Sequence, residues 1–143
     1  MFTSWTKLTR RKMGLLAVAV CTTALFVAAG AASADDGDCT TGSSSGNVNT
    51  CVNIVGGGLL VNNITASAHV VDSTRTLQVC IHGPAAALPL CTDFEQVPPG
   101  STLIKQWFPN ADEPAGSYCA RTWRENADGS HTLIGEACAP VTP

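Results

Sequence analysis

The chain has 143 residues, with eight Lys or Arg against eleven Asp or Glu and a formal net charge of −3. All of the acidic residues but only four of the basic ones follow residue 34, and four positive against eleven negative charges leave that part with a net charge of −7. Nucleic acids and anionic membranes bind to basic surfaces, so this balance excludes both as partners.

The N-terminal residues 1–34 have the pattern of a secretory signal peptide. A basic segment over residues 7–12 precedes the apolar run 14–29, and Ala32-Ser33-Ala34 is a small-residue cleavage motif. The alternative is a membrane anchor, but the run is short for a bilayer span and no second span follows. The sequence therefore predicts removal of residues 1–34 and a secreted, extracellular chain that begins at Asp35.

Six cysteines follow the predicted cleavage site: Cys39, Cys51, Cys80, Cys91, Cys119 and Cys138. An even number of cysteines in a short exported chain predicts three disulfides. Several connectivities are possible. We favour pairing in sequence order, the first with the second and so on, because each such pair brackets its own turn-rich segment. No Cys-x-x-Cys spacing or His pair indicates a metal site, and we expect no metal and no cofactor.

Residues 35–50 form an acidic segment that becomes rich in Gly, Ser and Thr. Such a composition buries little apolar surface and predicts a flexible arm, partly closed by the first cysteine pair. The arm could add a strand to a partner or enter a groove on it, and we take Asp35, Asp36 and Asp38 as candidate partner-binding residues. The alternative is a disordered terminus without a function.

Residues 51–143 have the pattern of a single β domain. The stretch 75–82 alternates, with Leu77, Val79 and Ile81 on one face and polar residues or Cys80 on the other. Similar short strands are predicted at 51–55, 59–71, 90–97 and 102–108, separated by Gly and Pro. Evenly spaced short strands without an amphipathic helix indicate a small disulfide-stabilised antiparallel β-sandwich, immunoglobulin-like in architecture.

Residues 118–138 predict a final hairpin. Asp128-Gly129 is a two-residue turn signal, because Gly tolerates a positive φ. A turn at this dipeptide places three complementary pairs opposite each other: an apolar pair, an opposite-charge pair and a cysteine pair. The pairs are Trp123–Ile134, Arg121–Glu136 and Cys119–Cys138. That one register aligns all three supports it. An immunoglobulin bridge would join two sheets, with a Tyr two residues before its second Cys, whereas Tyr118 directly precedes Cys119. We therefore expect no antibody-like function.

The sequence contains no pattern typical of an enzyme. His69, His82 and His131 are isolated, and no nucleophile–base, metalloprotease or phosphate-loop motif is present. Residues 56–58 are three glycines, but no Lys follows them as a phosphate loop requires. We expect no catalytic residue and a protein that is not an enzyme.

Two further stretches are candidates for binding. The loop between Cys80 and Cys91 presents Leu88 and Leu90 beside a proline, and a braced apolar loop of this kind is preorganised for a partner. The alternative is that both leucines fold back into the core. In "QWFPN", Trp107 and Phe108 point to opposite faces of a strand, so we expect one to lie in the core and the other to be partly exposed.

The export signal ending in "AASADDGDC", the Gly/Ser arm and the six-cysteine domain ending in "GSYCARTW…GEACAPV" together resemble the small adaptor subunit of actinobacterial umbrella toxin particles. The resemblance covers the layout of the chain after residue 34. It implies a secreted, non-catalytic adaptor that links a lectin-like subunit to a large repeat-containing toxin subunit in interbacterial competition, with the arm docked in the lectin-like partner. Two alternatives are a protease or glycosidase inhibitor acting through the Cys80–Cys91 loop, and a sugar-binding module using Trp107, Trp123 or Tyr118.

Overall fold

A computed structural model describes residues 36–41 and 47–143 of the chain. The predicted signal peptide 1–34 and the candidate Asp35 lie outside these residues. The described part contains ten β-strands and no helix, arranged in two antiparallel sheets. The prediction of an all-β, disulfide-stabilised antiparallel sandwich is confirmed.

Sheet A contains five strands in the order β1-β2-β3-β7, with β8 pairing with the start of β3. Their bounds are β1 Asp36–Thr41, β2 Val48–Gly57, β3 Leu60–Val70, β7 Thr102–Trp107 and β8 Ala111–Asp112. Sheet B has the order β10-β9-β4-β5, with β6 also pairing with β4. Its strands are β4 Arg75–His82, β5 Leu90–Cys91, β6 Glu95–Val97, β9 Gly116–Glu125 and β10 His131–Val141.

The core consists of the inward residues of both sheets. Alternate positions of β2, β3, β4, β9 and β10 are buried, as a two-residue side-chain period requires. Leu77, Val79 and Ile81 are fully buried, which confirms the predicted face of β4. Tyr118 is also fully buried, and its hydroxyl donates a hydrogen bond to the carbonyl of Pro114 at 3.0 Å. This bond satisfies the polar end of a large core side chain.

The stretch predicted as a flexible arm over residues 35–50 contains regular structure. Asp36–Thr41 forms β1, which pairs with β2 from Asp36 opposite Ile54 to Thr41 opposite Asn49. β2 already begins at Val48, which is fully buried, so the β domain extends further toward the N-terminus than residue 51. A polar segment can form this strand because an edge strand gains backbone hydrogen bonds without burying much apolar surface.

The three disulfides have the predicted connectivity: Cys39–Cys51, Cys80–Cys91 and Cys119–Cys138. In each bridge the two cysteines lie directly opposite each other on adjacent antiparallel strands. Every bridge therefore holds two strands of the same sheet together, unlike the immunoglobulin bridge between sheets. Three disulfides in a domain of this size are typical of extracellular proteins.

The final hairpin has a longer turn than predicted. Asn126 and Ser130 close a loop of residues 127–129 through a 2.8 Å bond from the N–H of Asn126 to the carbonyl of Ser130. Gly129 has a φ of 78°, the left-handed conformation that closes a three-residue hairpin loop. The turn dipeptide was correctly located, but one more residue belongs to the loop.

A β-bulge at Ile134 compensates for the longer loop. Trp123 lies opposite Leu133, so the predicted pair of Trp123 with Ile134 is wrong. Beyond the bulge the predicted pairs recur, with Arg121 opposite Glu136 and the two cysteines opposite each other. The extra residue on β10 lets Ile134 turn into the core, where it is buried, while Leu133 stays partly exposed.

Two hydroxyl contacts join the sheets where β2 and β1 approach β9 and β10. Thr50 and Thr122, both fully buried, share a hydrogen bond of 2.7 Å between their hydroxyl oxygens. The hydroxyl of Thr40 donates to the carbonyl of Glu136 at 2.6 Å. Because no disulfide of the described residues crosses between the sheets, these bonds and the apolar core hold the sandwich together.

Candidate functional site

The loop between Cys80 and Cys91 turns part of its apolar surface inward. Ala85 is buried and Leu88 packs against the core. Leu90 is half-buried in β5, opposite Ile81. The most exposed residues of this loop are Pro84, Ala86, Ala87 and Pro89. Leu88 was predicted either to be presented to a partner or to fold back into the core, and the structure shows the second arrangement.

Trp107 and Phe108 divide as expected for adjacent residues on a strand. Trp107 lies opposite the buried Ile64 and packs against the core, whereas Phe108 is 58% exposed. The aromatic residue available to a partner at this position is therefore Phe108.

The acidic candidates lie at the start of β1. Asp38 is exposed and stands opposite Val52 of β2, whereas the backbone of Asp36 stands opposite Ile54. Because β1 is antiparallel to β2, the N-terminus of β1 lies beside the C-terminal end of β2. The chain therefore enters the fold at the end of sheet A that holds the hairpin between β2 and β3.

The outward face of sheet A carries no charged side chain on the three neighbouring strands β2, β3 and β7. We call this the sheet A face, and its outward positions bear no Lys, Arg, Asp or Glu within the described part of β2, β3 and β7. Its members are Asn49, Cys51, Asn53, Val55, Leu60, Asn63, Thr65, Ser67, His69, Thr102, Ile104 and Gln106, together with Phe108, which directly follows β7. Charged residues are depleted in the centres of protein interfaces, so this face suits docking more than solvation.

One end of the sheet A face holds an exposed apolar cluster, which we call the end patch: Val55, Leu60 and Phe108. Their exposed fractions are 39%, 45% and 58%. Val55 on β2 lies opposite Asn63 on β3. Trp107 lies opposite Ile64 on the other side of β3, so Phe108, the next residue, is also beside Asn63. Val55 and Phe108 therefore lie on the two sides of β3. With strands about 4.8 Å apart, their backbones are about 10 Å from each other. The three side chains are near enough to contact one partner.

Three edge strands of the sandwich carry a charge that opposes pairing with another strand. Asp38 on β1, Glu95 on β6 and Lys105 on β7 each stand opposite a buried residue of the neighbouring strand, on the inward side of an edge strand. Inward-pointing charges are a recognised way to discourage edge-to-edge association, because a new strand would have to bury them. A partner is therefore expected on a face of the sandwich.

Sheet B presents a second, smaller apolar surface on the opposite side of the molecule. Leu133 is 39% exposed and lies opposite Trp123, which is half-buried. Phe94 stacks on His131 with 4.3 Å between ring centroids. Arg121 and Glu136 form a salt bridge on the same face. The molecule thus carries exposed apolar residues on both outer faces.

His82 is the histidine with a perturbed environment. Its Nε2 atom is buried and has no hydrogen-bond partner among the described residues. Burial lowers the pKa of His82 below its usual 6.5, and the nearby positive charge of Arg121 lowers it further, partly opposed by Glu136. Folding therefore favours the neutral form of this side chain.

Because the pKa of His82 is lowered by folding, its contribution to stability is present above the pKa of the unfolded chain and is lost as the pH falls through the folded value. We expect the urea midpoint to drop between pH 8 and pH 5, and to drop less in His82→Gln. His69→Gln is the matched control and should retain the acid-induced drop. Equal drops in the wild type and His82→Gln would contradict this prediction.

The residues of the end patch were not identified by sequence reasoning, apart from the expectation that either Trp107 or Phe108 is exposed. Val55 and Leu60 flank the glycine run 56–58, which reads as a break between strands. Strand alternation could have indicated their exposure, because Val55 follows the core residue Ile54 and Leu60 precedes the core residue Val61.

The comparisons with known proteins are negative: no family model, curated protein or solved structure matches the chain. Among residues 36–41 and 47–143, no group of three His, Cys, Asp or Glu is placed to hold a metal ion, and no pocket is enclosed. The same residues include no helix of the length and apolarity needed to cross a bilayer.

Proposed function

We propose that this protein is a secreted, non-catalytic adaptor that binds other proteins through the outer faces of its sandwich. The observation that carries the proposal is the sheet A face, which lacks charged side chains yet exposes Val55, Ile104 and Phe108 in an otherwise acidic chain. A contiguous exposed apolar patch, such as the end patch, often marks a protein-binding site. Leu133 and Trp123 provide a second surface on the opposite side, and an adaptor requires two.

The more specific form of the proposal follows the resemblance in layout to the umbrella toxin adaptors. The chain would then join a lectin-like subunit to a large repeat-containing subunit in an interbacterial antagonism complex. The position of β1 supports a role for the N-terminus, since Asp36 lies where the described chain enters the fold, beside the end of sheet A. An inhibitor acting through the Cys80–Cys91 loop is less well supported, because Leu88 packs against the core.

The test is purification of the tagged chain from culture supernatant under non-denaturing conditions, followed by identification of the proteins that remain bound. An adaptor is expected to elute as a complex of fixed composition. Recovery as a lone monomer, with the protein secreted and folded, would count decisively against the proposal.

Deletion of residues 35–38 tests the part assigned to the N-terminus. The truncation removes the first half of β1 but retains Cys39, so the bridge to β2 remains. We expect the amount of bound partner to fall while the urea midpoint changes little. The paired substitution Asp36→Asn with Asp38→Asn is the control for charge, and unchanged complex in both variants would remove the N-terminus from the interface.

A further inference from the structure

The end patch differs from the rest of the sheet A face in having an acidic neighbour. Asp112 in β8 stands directly opposite Leu60 and is exposed. Its carboxylate therefore lies on the outer side of the sheet, beside the apolar side chains of the patch. Glu113 is next in the chain and points to the opposite side, with Leu59, which packs against the core.

The basic residues of the fold lie elsewhere. Of the four that the structure describes, Arg75, Arg121 and Arg124 belong to sheet B. Lys105 is on β7 but on its inward side, opposite Ala66. No cation in the described part of the chain forms a salt bridge with Asp112, and its negative charge is free to act on a partner.

An apolar centre with charged neighbours is the usual organisation of a protein–protein interface. The centre supplies the affinity through a few buried anchors, often aromatic, and the charged rim selects the partner and accelerates association. Phe108 is the aromatic anchor here, with Val55 and Leu60 beside it. The rim is negative, and so its complement is positive.

From this arrangement, which rests on the proposed binding function, we infer that the end patch docks a protein surface in which an apolar site is bordered by Lys or Arg. The partner receives Phe108 between its apolar side chains and places a cation on Asp112. A second copy of this chain does not fit, because it would bring the same carboxylates together. Strand addition does not fit either, because Lys105 and Asp38 protect the edges of the sheet.

The experiment uses two short synthetic peptides as probes, one alternating Leu with Lys and the other alternating Leu with Glu. Binding is followed through amide NMR shifts of the whole secreted chain. The Lys peptide is expected to shift the amides of Val55, Leu60, Phe108 and Asp112, with weaker binding as salt increases. The Glu peptide is expected to leave them unchanged. Equal binding of both peptides, or shifts confined to sheet B, would overturn the inference.

Variants make the test specific. Phe108→Ser should lower the affinity for the Lys peptide about tenfold, as expected for loss of an aromatic anchor. Leu133→Ser, a matched change of an exposed residue on sheet B, should leave its affinity unchanged. Asp112→Lys should shift the preference toward the Glu peptide. A Phe108→Ser variant that binds like the wild type would contradict the inference.

The same variants separate this inference from the adaptor proposal. If the complex from culture supernatant survives in Phe108→Ser, the adaptor function stands and the end patch is not its docking site. If the wild type yields no complex, the adaptor proposal is wrong, and the peptide experiment still tests whether the end patch binds a basic apolar surface. Sedimentation of the wild type and Phe108→Ser at increasing concentration reveals self-association, which would replace the basic partner with a second copy.

Discussion

Gly135→Ala is expected to destabilise the fold by about 3 kcal/mol, at the upper end for overpacking of a core. A Cβ at this position would lie 2.1 Å from the hydroxyl oxygen of Thr50 and 2.9 Å from its Cβ. Thr50 is β-branched, fully buried and hydrogen-bonded to Thr122, so it cannot rotate away without losing that bond. The measurement is the free energy of unfolding from urea titration.

Gly57→Ala is the matched control for this prediction, because a Cβ there meets no atom within 4 Å. It should change the free energy of unfolding by less than about 1 kcal/mol. Thr50→Ala in the Gly135→Ala background should recover part of the loss by removing the clash. A Gly135→Ala variant as stable as the wild type would show that β10 does not approach β2 as described.

Loss of the Cys119–Cys138 bridge is the second large effect. The two cysteines are 19 residues apart, and opening a loop of this size costs about 3 kcal/mol of stability. The other bridges close loops of similar length, 12 and 11 residues. Removal of all three should cost about 9 kcal/mol, against a total stability of about 5–15 kcal/mol for a typical domain. We therefore expect the fully reduced chain to be largely unfolded.

The measurement compares urea midpoints of the Cys119→Ser/Cys138→Ser and Cys39→Ser/Cys51→Ser double variants under oxidising conditions. The first should be destabilised by about 3 kcal/mol with the fold retained. In the second, β1 is an edge strand and can separate locally, so hydrogen exchange should increase mainly in β1 and its partner β2. A chain that keeps its wild-type midpoint under full reduction would refute the stabilising role of the bridges.

The register of the last hairpin shows how far sequence reasoning reached. The turn dipeptide, the charge pair and the cysteine pair correctly located both strands. The three-residue loop shifts the register by one residue between the turn and the bulge at Ile134, which is why the predicted pairing of Trp123 was wrong. The bulge also places Ile134 in the core and Gly135 against Thr50 of β2, and no pattern within residues 118–138 contains that contact.

The aromatic pair illustrates a similar boundary. Alternation required Trp107 and Phe108 to point in opposite directions, but it did not say which one faces the core. That choice depends on which side of sheet A is covered by sheet B. The same uncertainty hid the end patch, since Val55 and Leu60 are exposed only once the covered side is known.

The disulfide pairing favoured from cysteine spacing, the alternation of β4 and the class of the fold could all be predicted from the amino-acid sequence. Each of these depends on local spacing or on strands that are neighbours along the chain, where loop closure is inexpensive. Three features became visible only in the folded protein: Asp36–Thr41 is an edge strand, β10 contains a bulge, and Val55, Leu60 and Phe108 lie together at one end of sheet A. These features arise from contacts between sheets and between distant segments, where packing overrides local propensity.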